Sequence, residues 1–368
     1  MKKRFCFFYM LFISIVMIFS ANLGFSAERT EIKIPDIPGY LTLKCDFHMH
    51  TVFSDGNVWP TVRPDEIWRE GLDAFSITDH IEYMPHKEVI VKDYNESYNY
   101  AIDRANALNL IMIKGVEITR EMPPGHFNAI FIKEVNPLYL LDYKALIKSF
   151  IDQGAFIFWN HPPDKWYDEH EELYKNGWLH GIEVVNGGLY YPHSQKWCNE
   201  KNLTLIGTSD VHEPMYLQKG QHRPMTLVFA KERSEQAIKE ALIERRTVVY
   251  NDKNLIGDAK YLKPLFEESI KIVNPNVTIK GKGSANIWIN NKSEVPFNLV
   301  LAGDVPEISA PKEINLIQDG TVLFRISRKS NEVKGKKDIK IPYKVTNLIT
   351  APEEYLPIEI NISVTFED

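Results

Sequence analysis

An α/β domain of parallel strands followed by a β-sandwich is the fold that the sequence predicts, and three observations predict it. From about Leu41 to Tyr250 short apolar runs alternate with amphipathic helical stretches, the pattern of strand–helix–strand units. Histidines and carboxylates fall repeatedly at the C-terminal ends of those runs, the end at which barrel-like α/β folds carry their sites. After about Tyr261 the helical periodicity stops, and short alternating segments separated by Gly, Asn, Asp, Lys and Pro take over. A chain of 368 residues has room for both domains.

Taken in order, the first element lies outside that fold. Lys2-Lys3-Arg4 precede a charge-free run from Phe5 to about Ser20, with small residues at Gly24, Ser26 and Ala27, the layout of a secretory signal peptide over residues 1–27. Cleavage fits after Ser26 or Ala27; an uncleaved anchor is the alternative for so long an apolar run. Cleavage predicts an exported protein, periplasmic or secreted, with no stable membrane span. It also removes three positive charges and no negative ones, taking the net charge from −6 to −9. A protein that coats polyanions has the opposite balance, so polynucleotide binding is not expected. Cys6 leaves with the signal, and Cys45 and Cys198 are too few for a disulfide framework and read as buried thiols.

The α/β domain is expected over residues 28–259. Its strands are read at Thr42–His48, Ala74–Thr78, Ile111–Glu117, Asn128–Ile132, Ala155–Asn160, Gly181–Val185, Leu205–Ser209 and Thr226–Ala230. Helices are read at Pro64–Glu70, Tyr94–Ala107, Tyr143–Gln153, Pro192–Lys201 and Ser234–Arg245. Residues 260–271 form a connecting helix, and residues 272–368 the β-domain of immunoglobulin-like type, with strands at Ser284–Asn290, Pro296–Ala302, Glu313–Ile317, Thr321–Ser327, Asp338–Val345 and Pro357–Phe366. That domain contains no histidine.

The chemistry starts in the first strand. Alternation of side chains puts His48 and His50 on one face, with Asp46 behind them, and the Asp55-Gly56 turn folds Asp55 back over the strand's end. Alone, this reads equally as two satisfied histidines and a surface turn. It has company in His80, Glu117, His126, His161, Asp210 and His212, so that six of the eleven histidines join one set. A carboxylate such as Glu117, ending an apolar strand, is costly unless paired or bound to metal. Nine nitrogen and oxygen donors are too many for one tetrahedral zinc and suit two or three divalent ions sharing a carboxylate, with zinc, manganese and iron all compatible. His86, His170, His180 and His193 read as surface residues, and His222 and Arg223 are ambiguous.

These motifs resemble those of the PHP (polymerase and histidinol phosphatase) metal-dependent phosphoesterases: Asp46-Phe47-His48-Met49-His50, Ser54-Asp55-Gly56, Ile77-Thr78-Asp79-His80, Gly115-Val116-Glu117, Asn160-His161-Pro162 and Ser209-Asp210-Val211-His212. Within that resemblance, Trp59-Pro60-Thr61-Val62-Arg63, Glu117-Ile118-Thr119-Arg120 and Pro124-Gly125-His126-Phe127 look like the exported Sb-PDE-type phosphodiesterases. The resemblance implies a distorted (β/α)7 barrel. It implies His48, His50, Glu117 and Asp210 around one ion, Glu117, His126 and His161 around a second, and Asp55, His80 and His212 around a third. It implies a small phosphodiester as substrate, attacked at phosphorus by a metal-bridging hydroxide, with Glu117 and Asp210 holding the reacting ions. Arg63 and Arg120 are the side chains expected to touch a phosphoryl oxygen, and Asp46 is expected to orient a histidine ligand. Three other readings stay open: a phosphomonoesterase, an amidohydrolase-like C–N hydrolase, and a surface binding protein without activity.

Overall fold

The computed structural model describes residues 28–90, 93–136, 142–218 and 220–368; the expected signal peptide lies outside the described residues. The first domain contains strands β1 (Leu41–Asp46), β2 (Ala74–Phe75), β3 (Ile111–Met112), β4 (Gly115–Ile118), β5 (Phe127–Ile130), β6 (Phe156–Trp159), β7 (Gly181–Asn186), β8 (Leu189–Tyr190), β9 (Thr204–Thr208), β10 (Met225–Ala230), β11 (Thr247–Asn251) and β12 (Asn254–Gly257). Between them run helices α1 (Val62–Arg69), α2 (Glu96–Ala107), α3 (Tyr143–Asp152), α4 (Asp168–Lys175), α5 (Pro192–Lys201) and α6 (Glu235–Ile243), and α7 (Ala259–Ser269) follows β12.

The helices begin where a side chain can satisfy a free backbone N–H. Asp142 accepts from Lys144 and Ala145 at the start of α3, Ser234 from Ala237 at α6, and Asp258 from Lys260 at α7. At α5, Pro192 enters at the first turn and Asn202 leaves in the left-handed region at φ 56°.

Two sheets make the barrel. One runs β12-β11-β10-β1-β2-β3, the other β4-β5-β6-β7 with β9 beside β7. Isolated parallel bridges, Met49 to Val211 and His80 to Glu117, join β1 to β9 and β2 to β4. The result is a seven-membered ring of β1, β2, β4, β5, β6, β7 and β9, a distorted (β/α)7 barrel, closed at the strand ends that carry the histidines. The expected Ile111–Glu117 strand is two strands, because the chain changes sheets at Gly115, where a Cβ would lie 2.4 Å from Ser76 Oγ.

The strands are not all parallel, as the alternating pattern had suggested. β1 is antiparallel to β10, β4 to β5 and β5 to β6, and β10, β11 and β12 form an antiparallel run. Only Thr119–His126 joins β4 to β5, too short for a crossover helix. Asp252 and Lys253, both at positive φ, make the two-residue turn between β11 and β12.

The second domain is a sandwich built from β13 (Ile270–Ile272), β14 (Asn276–Lys280), β15 (Ser284–Asn291), β16 (Phe297–Leu301), β17 (Ile308–Ser309), β18 (Glu313–Leu316), β19 (Gly320–Arg328), β20 (Gly335–Ala351) and β21 (Glu354–Glu367). Along β21, Ile358, Ile360, Ile362, Val364 and Phe366 are buried and their neighbours are more exposed, the period of two that a half-buried sheet imposes. β20 also pairs with β12 in parallel, Leu255 opposite Leu348 and Ile256 opposite Ile349, so one sheet continues from barrel to sandwich.

Candidate metal centre

β1 ends at Asp46, and its continuation delivers His48 and His50, both fully buried, to the mouth of the ring. His48 Nε2 and His50 Nε2 lie 3.1 Å apart, and each is 3.1 Å from Asp210 Oδ1. Glu117 Oε2 completes the group at 3.1 Å from His48 and 3.2 Å from His50. Four ligands about 2.0–2.1 Å from a common tetrahedral centre stand roughly 3.3–3.4 Å apart, and His48, His50 and Glu117 have that spacing, with Asp210 joining them through both imidazoles.

The other oxygen of Glu117 faces a different set. Oε1 lies 2.9 Å from His126 Nδ1 and 3.7 Å from His161 Nε2, and it accepts from Asn160 Nδ2 at 2.9 Å. Glu117 can therefore bridge two positions. A third group surrounds Asp55, whose Oδ1 is 3.2 Å from His212 Nε2 and 3.6 Å from His50 Nδ1, and whose Oδ2 is 3.3 Å from His80 Nε2. Asp55 is brought there by its turn: Ser54 N and Gly56 N both donate to Thr51 O, and a Cβ on Gly56 would stand 2.6 Å from the His50 carbonyl carbon. Asp79 fixes the same turn from behind, accepting from Thr51 N, Thr51 Oγ1 and Ser54 Oγ.

Two residues at the site have strained backbone. His161 and Asp210 both have positive φ, 28° and 50°, an arrangement that costs a non-glycine residue on the order of 1 kcal/mol and is kept where function requires it. Glu183 holds the His161 turn in place by accepting from His161 N at 2.7 Å.

The electrostatics belong to a cation site. Burial opposes charge on His48, yet Asp210, Glu117 and Glu183 raise it well above the ordinary histidine range; His50, likewise buried but bonded to Asp210 and Glu117, is raised to about 9. Burial would raise Glu117 and Asp210, but the surrounding imidazoles hold both well below the carboxylate range, and Asp55 is lowered in the same way by His212 and His80. Ionised carboxylates packed against convergent imidazole nitrogens at these spacings fit divalent ions, which would replace protons on the histidines.

The structure thus brings together all nine donors expected from the sequence, with His161 at the margin. It does not bring the two arginines into the same role. Arg63 is fully buried behind the site, its guanidinium spent on main-chain carbonyls and Glu66, so it cannot meet a phosphoryl oxygen. Arg120 is half-buried and forms an ion pair with Glu82, whose other oxygen accepts from Thr119 N. Asp46 does not orient an imidazole: it accepts from Ser209 N and Oγ and pairs with the buried Arg223, which also pairs with Glu70. His170 is not on the surface but buried, stacked on Trp159 at 3.5 Å and donating from Nε2 to Pro124 O. His180 and His193 are half-buried, the first accepting from Ile157 N and the second donating to Pro162 O.

Sequence reasoning missed Glu183, the orienting carboxylate. From the middle of β7 it holds His48 Nδ1 at 2.8 Å, so that Nε2 presents its lone pair to the centre, and it accepts from Thr208 Oγ1 and Asn186 Nδ2 as well. Asn186 in turn reaches Asp210 Oδ2 at 3.1 Å. The available signal was a lone acid in an otherwise apolar strand, Gly181-Ile182-Glu183-Val184-Val185.

Comparison with known proteins places this geometry. An Ig-like domain family matches residues 270–361. The crystal structure of a two-domain protein from Bacteroides vulgatus, containing a predicted PHP-like metal-dependent phosphoesterase, is 46% identical and covers 91% of this chain and 99% of its own, with a TM-score of 0.85. Among curated proteins, an uncharacterized protein of Methanocaldococcus jannaschii is 38% identical over 87 residues, 22% of this chain; the match spans 36% of that relative's length.

Proposed function

Because the chain belongs to the two-domain PHP-like metal-dependent phosphoesterases, we propose that it is an exported phosphodiesterase acting on small phosphodiesters. The observation that carries the reading is Glu117: one buried carboxylate whose two oxygens face two separate groups of imidazoles, 3.1 Å from His48 on one side and 2.9 Å from His126 on the other. Divalent ions held by these donors would lower the pKa of water and neutralise charge on a phosphoryl group.

The chain's own residues do the rest. Asp210, fixed by Asn186, and His48, fixed by Glu183, present their donor atoms without reorganisation. His126, His161 and His212 keep about a third of their side chains open to solvent, which puts the approach of substrate on that side. A diester carries a single negative charge and makes less demand on side-chain cations than a monoester dianion, which accords with an Arg63 turned away and an Arg120 paired with Glu82. The Sb-PDE-like motifs and the signal-peptide layout of residues 1–27 support the finer specificity and export.

The test is hydrolysis of bis-(p-nitrophenyl) phosphate and p-nitrophenyl phosphate by mature protein loaded with manganese or zinc. Diester cleavage is expected to dominate, to fall about a thousandfold in Glu117→Gln and by roughly 10–100-fold in His161→Ala. Cleavage of the monoester alone would make the protein a phosphomonoesterase, and turnover of neither by metal-loaded protein would remove the phosphodiesterase reading.

A further inference from the structure

Arg63 is the second residue of α1, yet its side chain runs back under the metal donors. Nε and Nη2 donate to His50 O at 3.0 and 2.8 Å; Nη2 also donates to Val211 O and His212 O, each at 3.0 Å. Nη1 donates to Glu213 O at 3.0 Å and to Glu66 at 2.7 Å. Every peptide it touches thus belongs to one of two segments, the end of β1 that carries His50 or the stretch after β9 that carries His212.

Those two segments supply half of the group around Asp55, in which His50, His80 and His212 converge. The Asp55 turn docks on the same place, since Asn57 N donates to His212 O at 2.9 Å. His50 belongs to both groups, but the other donors of the first group have a separate support, because Glu183 holds His48 and, through Asn186, Asp210 from the opposite side. Removing the guanidinium would leave the buried His50 carbonyl without a donor and Val211 O and His212 O with only their main-chain donors, His50 N and Asn57 N; a lysine, with three donors on a point charge, cannot replace a planar fork that serves four carbonyls and a carboxylate.

We infer that Arg63 is a positioning residue for the third ion: it fixes His50 and His212 against one another so that Asp55, His80 and His212 meet at one cation. The inference rests on the metal-dependent reading of the site but not on which ester is cleaved. Anchoring extends one step further, since Glu66 grips Arg63 with one oxygen and accepts from Met215 N with the other, at 2.8 Å.

The test is manganese binding followed by equilibrium dialysis with elemental analysis, independent of any substrate. Wild-type protein is expected to take up three ions. Arg63→Lys is expected to weaken the last ion at least about tenfold, the scale on which supporting partners act on metal affinity, and to weaken it more than the ion that shares His50, while the affinity of the ion at His126 and His161 stays within about threefold. A purely structural arginine would instead lower the melting temperature and leave stoichiometry alone. Glu66→Gln, which keeps Arg63 and loosens its anchor, is expected to weaken the same last ion and serves if Arg63→Lys does not fold. Two ions only in the wild type, or a last-ion affinity unchanged in whichever variant folds, would overturn the inference. Loss of phosphodiesterase activity with three-ion binding intact would instead count against the proposed reaction.

Discussion

Glu183 is buried among four donors: the His48 ring, the His161 amide, the Thr208 hydroxyl and the Asn186 amide. A carboxylate has the lone pairs to accept all four. Glutamine keeps the volume but turns one oxygen into a donor, so at least one of those bonds becomes a donor–donor contact. Glu183→Gln is therefore expected to lower the affinity of the ions at His48 and His161 by about 10–100-fold in chelator competition, with the Asp55 group less affected. Equal affinity in the variant would show that His48 does not depend on this orientation. The contrast between Glu183 and Arg63 marks what was legible at this scale. The nine donors stood out because imidazoles and carboxylates at the ends of apolar strands are costly without a partner. A side chain that holds the donors from behind has no such signature. Arg63 reads identically whether it reaches solvent, substrate or peptide oxygens, and Asp46 alternates onto the face of His48 yet is captured by Ser209 and Arg223 from segments distant in sequence.

At the scale of elements, α4 shows why one helix escaped detection. Asp168-Glu169-His170-Glu171-Glu172-Leu173 has a single aliphatic residue and no apolar period, because the helix packs through His170 on Trp159 rather than through an aliphatic stripe. The β11–β12 hairpin escaped for a different reason, since Asp252-Lys253 makes its tight turn without glycine. The packing of α4 has a pH signature. Burial pushes His170 down to about 4, and the residue is fully inaccessible. The unfolded chain takes up this proton near pH 6.5 and the folded one only near 4. Stability is thus present above about 6.5 and is lost as pH falls towards 4, by up to about 3 kcal/mol for this group. His180, also pushed down to about 4, acts in the same direction. With metal chelated, so that ligand protonation does not intrude, His170→Phe is expected to shrink the difference in melting temperature between pH 7 and pH 4.5 by several degrees. A difference as large as in the wild type would place the acid sensitivity elsewhere.

At the scale of the whole molecule, the change of composition near Tyr261 announced a second domain, but nothing in it announced a shared sheet. The edge of β12 would offer unpaired peptide groups to solvent, and β20 covers it, with Leu348 opposite Leu255 and Ile349 opposite Ile256. Side chains from both domains add to the seam: Gln195 and Asn199 of α5 donate to Ile349 O and Thr350 O, Asn347 donates to Lys253 O, and Glu294 Oε1 lies 3.0 Å from His222 Nε2. The cores merge as well, since Phe229, Tyr261 and Phe266 belong to the same apolar cluster as Phe297 and Leu348. Two domains joined by strand pairing and a common core should unfold together. Calorimetry of the protein is therefore expected to give one transition. Leu348→Asp, which puts a carboxylate without a partner into that seam, is expected to cost about 3–5 kcal/mol and to lower the transition for the entire chain. Below that temperature metal uptake should be unchanged, because the seam contains none of the nine donors. Melting of the sandwich alone at lower temperature, with the barrel transition where it was in the wild type, would show that the shared strand does not couple them.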